Sequence, residues 1–178
     1  RGDLMGQVKS GGMAAVLGPG AARVESILRG ADLAGIDVAN YNAPNQTESS
    51  GKKDDLTLAW RLLEKEADAC VPLPVSAAFH SRYMIDAARA FQDFLVDFSS
   101  EPLLLPVISN VTGRPYPAGD PTLTVRAFLV RQISRPVLWT QSVRHMSESG
   151  VDEFHEIGPG TVLTRLIQQI REYDATMA

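Results

Sequence analysis

The chain has 178 residues, is 44% hydrophobic and 21% charged, and carries a formal net charge of -4. That length suits one domain with a small insert and a substantial buried core, and the charge leaves no electrostatic footprint for nucleic-acid binding. One cysteine, Cys70, excludes an intrachain disulfide and a cysteine-rich zinc site, and it fits a reducing compartment such as the cytoplasm. The uncharged run Ala69 to Phe79 contains Pro72 and Pro74 and falls short of the ~20 apolar residues that a membrane helix needs. No apolar signal segment follows Arg1-Gly-Asp-Leu-Met5, and the first residue is not Met, so the chain is expected to begin inside a longer protein.

In chain order, Met13-Ala-Ala-Val-Leu17 reads as a strand closed by Gly18-Pro-Gly20. Ala21 to Leu28 places Val24, Ile27 and Leu28 at helical spacing, and Gly30 ends the helix. Ile36 to Tyr41 alternates like a strand, and Asn42-Ala-Pro-Asn45 reads as a turn. Asp54 to Glu66 is a helix with Leu58, Leu62 and Leu63 on one face, and Cys70 to Val75 returns as a strand. This alternation implies a small α+β unit over residues 13–75, after a short leading segment, 1–12.

A second unit, 76–178, begins with Ser76-Ala-Ala-Phe-His80. Ile85, Ala88, Phe91, Leu95 and Phe98 then form an amphipathic stripe. Leu105 to Val111 reads as a strand, Leu123 to Ile133 as a helix with Phe128, Leu129 and Ile133 inward, and Pro136 to Met146 as another helix. Val151 to Ile157 alternates like a strand, and Gly158-Pro-Gly160 turns it into a last helix, Val162 to Ile170. Strands alternating with helices imply a parallel α/β layer.

Among groups that could carry chemistry, His80 stands out, lying between an apolar run and a helix start that Ser81 can cap. Its position allows two readings: a structural histidine, the commoner case, or a base kept neutral by the positive end of the helix. His145, beside Arg144, and His155, on the polar side of its strand, read as solvated. The three histidines show no metal-binding spacing. Gly158-Pro-Gly160 could seat a phosphate at a helix start, but it lacks the third glycine of a dinucleotide fingerprint, so a tight turn is the stronger reading. Gly18-Pro-Gly20 fails the same test. No GxSxG elbow occurs, and Ser10, Ser76 and Ser109 lack the strand–turn–helix setting of a nucleophile.

Taken together, several segments resemble one family. Pro74 to Met84 resembles the PVSxAFHSxxM segment of malonyl-CoA:acyl-carrier-protein transacylases and of polyketide synthase acyltransferase domains. Pro106-Val-Ile-Ser-Asn-Val-Thr-Gly113, Leu129-Val-Arg-Gln-Ile133 with Arg135-Pro-Val-Leu-Trp139, and Glu156-Ile-Gly-Pro-Gly-Thr-Val-Leu163 resemble that family's later blocks, in order. Met13 to Leu17 and Asn40 to Gln46 resemble its small subdomain. The resemblance implies an α/β fold: an α/β-hydrolase-like large subdomain, here partial, with an inserted ferredoxin-like α+β subdomain.

The function it implies is transfer of a malonyl group from malonyl-CoA to the phosphopantetheine thiol of an acyl carrier protein, by a ping-pong route through an acyl-serine. No cofactor, no nucleic acid and no membrane are implied. His80 would be the base, and Gln132 would hold its other nitrogen through a backbone carbonyl. Arg1 would pair with the malonyl carboxylate. Phe79 would favour malonyl over methylmalonyl units, and Asn40 and Asn42 would line the cleft. The family's GHSxG elbow would lie upstream of Arg1, so this chain alone is expected to be inactive. An acyl hydrolase of the same family and a non-catalytic carrier-protein docking module remain alternatives. One departure stands out: after Asn45-Gln-Thr47 the family continues with apolar residues, whereas Glu48-Ser-Ser-Gly-Lys-Lys53 is polar, which implies an edge strand or a local difference.

Overall fold

A computed structural model of the chain describes residues 1–8 and 11–177; Ser10, weighed above as a nucleophile, lies outside them. A short helix, α1 (Gly2–Gly6), leads into β1 (Gly12–Leu17), α2 (Ala21–Gly30), β2 (Asp37–Ala43), β3 (Gln46–Gly51), α3 (Lys53–Leu63) and β4 (Ala69–Pro72). The strands lie in the order β2-β3-β1-β4, and every neighbouring pair is antiparallel. This β-α-β-β-α-β arrangement is the ferredoxin-like topology.

Its core follows from sequence spacing. Val24 and Leu28 of α2 and Leu56, Ala59 and Leu63 of α3 are buried against Val16, Ile36 and Val38. Asp54 and Asp55 in the first turn of α3, and Arg61 in its last, complement the helix dipole. The inward face of α3 differs from the expected one. Leu58 is 52% exposed, and Leu56 and Ala59 take the inward positions. Leucine occurs on both sides of this helix, so the leucines alone did not identify the packed side.

β3 is not an edge strand. It lies between β1 and β2, and Thr47, Ser49 and Ser50 are 0%, 1% and 0% exposed. Ladder hydrogen bonds on both sides fix its place whatever its side chains prefer. The three hydroxyls find no hydrogen-bond partner among the described residues, so they occupy volume in the core without a polar return. The expected turn at Asn42 is also later and tighter: β2 runs on to Ala43, leaving Pro44-Asn45 as the turn.

The rest of the chain is a 3-10 turn (Arg82–Met84), α4 (Ile85–Phe94), a short hairpin of β5 (Ile108–Ser109) and β6 (Arg114–Pro115), α5 (Pro121–Ser134), α6 (Trp139–Glu148) and α7 (Val162–Met177). Asp120 caps α5 by accepting from the Leu123 N–H at 2.9 Å, and Pro121 opens the helix. The turn, α4 and α5 share an apolar cluster of Ala77, Met84, Ala87, Ala88, Phe91 and Ile133. Ile85 and Phe98, expected in this stripe, are 43% and 52% exposed, and α4 ends before Phe98. Val143 of α6 and Leu166 and Ile170 of α7 pack with Ala43 of β2.

A parallel layer is absent among the described residues. The segment 105–111 contributes only the two-residue antiparallel ladder of β5, and 151–157 forms no strand. A strand needs a neighbour to take its N–H and C=O groups; beyond that hairpin, 105–111 has one such bond, from the Leu138 N–H to the Asn110 carbonyl at 2.8 Å, and 151–157 pairs with no strand among the described residues. Leu104 and Ile157 are 96% and 98% exposed. Among the described residues, the one parallel pairing joins Asn40 to Val137. It keeps residues 136–138 out of helix, so α6 begins at Trp139 rather than at Pro136. Among the described residues no helix is long and apolar enough to cross a membrane.

The reassigned face of α3 can be checked by urea unfolding. Leu63→Ala is expected to cost about 2–5 kcal/mol through the cavity it leaves, and Leu58→Ala no more than about 0.5 kcal/mol.

Candidate active site

Ala77 and Ala78 are fully buried. Gly11 abuts Ala78 so closely that a Cβ on the glycine would fall 2.6 Å from the Ala78 nitrogen. The chain then turns through Phe79 and His80, where φ of His80 is +56°. That left-handed conformation is uncommon for a residue with a Cβ, and it persists where its surroundings hold it. Ser81, buried, supplies part of the hold. Its hydroxyl donates to the Ala78 carbonyl at 2.5 Å and accepts from the Tyr83 N–H at 3.3 Å. His80 therefore sits in the turn before the cap, not in the first turn of a helix.

The His80 Nδ1 lies 2.9 Å from the Gln132 carbonyl oxygen. A carbonyl only accepts, so Nδ1 must carry the proton, and Nε2 is left with its lone pair. The carbonyl is free for a reason written in the sequence. In a continuing helix it would accept from the N–H four residues on, but that residue is Pro136, which has none. Burial lowers the His80 pKa below its ordinary 6.5; the Gln132 carbonyl opposes this, the Arg1 charge adds to it, and the Arg135 carbonyl opposes it. The neutral ring is the favoured form near pH 7. Burial, not the helix dipole, is the main cause.

A cleft of about 560 Å³ opens beside the ring, lined by His80, Asp37, Tyr41, Arg82 and Arg135 among others. Of the expected site residues, Gln132 touches His80 directly. Arg1 is exposed at the start of α1, with its charge near enough to act on the ring. Phe79 is half-buried against the α4–α5 cluster, as are Leu4 and Met5 of α1. Asn40 and Asn42 do not line the cleft. Asn42 is buried and donates to Glu48 at 2.9 Å. Asn40, paired across the ladder with Glu48, has a buried Oδ1 with no partner among the described residues. Burial pushes the Glu48 carboxyl up in pKa, and the Asn42 bond opposes that shift.

The weaker candidates have local explanations. Glu156 fills the start of α7, accepting from the Leu163 N–H at 3.1 Å and the Thr164 N–H at 2.9 Å. A phosphate at Gly158-Pro-Gly160 would meet that carboxylate. His145 contacts Arg114, and His155 pairs with Glu153 on the surface. Ser109 is buried, and its hydroxyl accepts from the Val111 N–H at 3.2 Å. No group of three His, Cys, Asp or Glu side chains is placed to hold a metal among the described residues. One feature escaped the sequence: Asp37 and Arg82, 45 residues apart, form an ion pair beside His80. Only the adjacency of Arg82 to the histidine motif hinted at it.

The shift at His80 has a consequence for stability. The unfolded chain takes up a proton near pH 6.5 while the folded ring resists it, so the unfolded state binds more protons as pH falls below that value. This contribution is full above pH 6.5 and is lost on acidification through the lower folded pKa. Unfolding free energies measured from pH 7.5 to 5 (a span of about 2.5 units, bracketing the ordinary histidine range) should fall more steeply for the wild type than for His80→Gln.

A family model, the acyl transferase domain, matches residues 1–177. Polyketide biosynthesis protein ThaF of Burkholderia thailandensis is 51% identical over 96% of this chain, which spans 14% of that protein. The polyketide biosynthesis malonyl CoA-acyl carrier protein transacylase PksC of Bacillus subtilis is 43% identical over 97% of the chain and 59% of its own length. The malonyl CoA-acyl carrier protein transacylase of Escherichia coli is 33% identical over 90% of the chain and 52% of its own length. Among solved structures, the corresponding transacylase of Burkholderia pseudomallei superposes with a TM-score of 0.86 at 37% identity, over 96% of this chain and 59% of that one. A malonyl-transacylase solved in complex with its type II PKS acyl-carrier protein gives 0.88 at 28% identity, over 96% and 56%. The chain thus spans at most about three fifths of these relatives, and across that span the α/β architecture is shared. It belongs to the acyl transferase domain family.

Proposed function

We propose that the protein carrying this chain moves a malonyl group from malonyl-CoA to the phosphopantetheine thiol of an acyl carrier protein. The single observation that carries the reading is the Nδ1 contact of His80 with the Gln132 carbonyl, which leaves Nε2 as a free base beside a cleft. The names of the relatives supply the substrate class. The reading requires a serine nucleophile outside these 178 residues. His80 Nε2 takes the serine proton as its oxygen attacks the thioester, and returns it to the departing coenzyme A thiolate. In the second half, Nε2 takes the proton of the carrier thiol, which attacks the acyl-serine, and the serine oxygen leaves with that proton.

Arg1 would pair with the free malonyl carboxylate through its planar fork. Phe79 would crowd the α-carbon and disfavour an added methyl. Asn42, bonded to Glu48, and Asn40, opposite Glu48 in the ladder, would act on the cleft only through the sheet. Of the boundaries proposed at 1–12, 13–75 and 76–178, the apolar cluster confined to 13–75 supports the middle unit, and a second cluster joins Leu4, Met5 and Val8 to 76–178; Ala43 of β2 packs with α6 and α7 across the boundary. The cytoplasm is the compartment that this reading and an unpaired Cys70 fit.

The test uses the protein at its natural length with malonyl-CoA and a phosphopantetheinylated carrier protein. The wild type should form the malonyl-carrier, and His80→Ala should lose about 10²–10⁴-fold in kcat/KM. Carrier-bound acyl groups released to water instead of transferred would identify a hydrolase. Phe79→Ser should shift the malonyl-to-methylmalonyl preference by about 10- to 100-fold toward methylmalonyl, read from competing substrates.

A further inference from the structure

We propose that Asp37 is a positioning residue for His80, acting through Arg82. The proposal rests on His80 being the base of the acyl transfer described above. Asp37 opens β2, and its carboxylate reaches the residue that follows the Ser81 cap. Its Oδ2 accepts the backbone N–H of Arg82 at 2.9 Å. The same carboxylate accepts from the Arg82 guanidinium, from Nε at 3.0 and 3.1 Å and from Nη2 at 2.5 Å. A second staple lies beside it, where the Tyr83 hydroxyl donates to the Gly35 carbonyl at 2.9 Å. The stretch Gly35–Asp37 thus grips Arg82–Tyr83 on one side of the histidine turn. On the other side, Ser81 grips Ala78.

His80 is held between these grips at φ +56°. If the turn relaxed toward negative φ, the ring would swing away from the Gln132 carbonyl. The composition of the pair shows what it is built for. Arg82 and Asp37 are 54% and 21% exposed at their side chains, and an ion pair that wet contributes little to stability. A bidentate fork combined with a charge-assisted bond to the backbone fixes geometry. The expected signature of losing it is a misplaced base in a chain that still folds.

The experiment compares Asp37→Ala and Asp37→Asn in the natural-length protein, with active sites counted by the malonyl-enzyme formed from malonyl-CoA. Asp37→Ala should lower kcat per active site about 10- to 100-fold, leave KM within about threefold, and speed carbethoxylation of His80 by diethyl pyrocarbonate, read by peptide mass. Asp37→Asn keeps an oxygen for the Arg82 N–H and should recover most of that loss. Unchanged kcat per active site in Asp37→Ala, or a loss explained wholly by fewer active sites, would overturn the proposal. If the wild type transfers no malonyl while Asp37→Ala still speeds His80 carbethoxylation, the acyl-transfer reading fails and the positioning role stands.

Discussion

The Gln132 carbonyl decides which nitrogen of His80 carries the proton, and much of the molecule converges on that one acceptor. It is available because the proline at 136 cannot supply the N–H that a continuing helix would offer. The same proline releases residues 136–138 from helix. Val137 then donates to the Ala39 carbonyl at 2.8 Å and accepts from the Tyr41 N–H at 2.9 Å. One break in the chain therefore orients the ring and adds a bridge to the edge of the antiparallel sheet. Helix end, sheet edge and imidazole form a single mechanical unit.

Around that unit the molecule accepts costs that local preference would avoid. A histidine sits in left-handed backbone, and hydroxyls on β3 sit in a core with nothing to bond among the described residues. Both are tolerated because neighbouring backbone contacts over-determine the local conformation. The turn is pinned through Ser81 and Arg82, and the strand is pinned by ladders to β1 and β2.

The sequence was legible where periodicity and burial agree. β1, α2, β2, α5 and α7 follow from apolar spacing and from Gly and Pro punctuation, and the first three open the small α+β unit read over 13–75. It was not legible where tertiary pairing overrides composition. β3 is polar yet central, and no pattern within Glu48 to Gly51 carries that information. The strands expected at 105–111 and 151–157 are the reverse case: their patterns suit strands, yet among the described residues the first pairs only in a two-residue hairpin and the second pairs with no strand. The site was legible in halves. His80 was visible as a candidate, but its link to Gln132, 52 residues away, came from family resemblance and not from spacing. The Asp37–Arg82 pair had no counterpart in any motif, since two charges far apart in sequence do not announce that they meet.

The contact of Gly11 with Ala78 carries a consequence for motion. The backbone at the start of β1 presses on the loop that leads into His80, with no room for even a methyl group between them. A junction so tight transmits displacement and cannot absorb it. Any opening of the cleft beside His80 must therefore carry the start of β1 and the histidine loop together at this point.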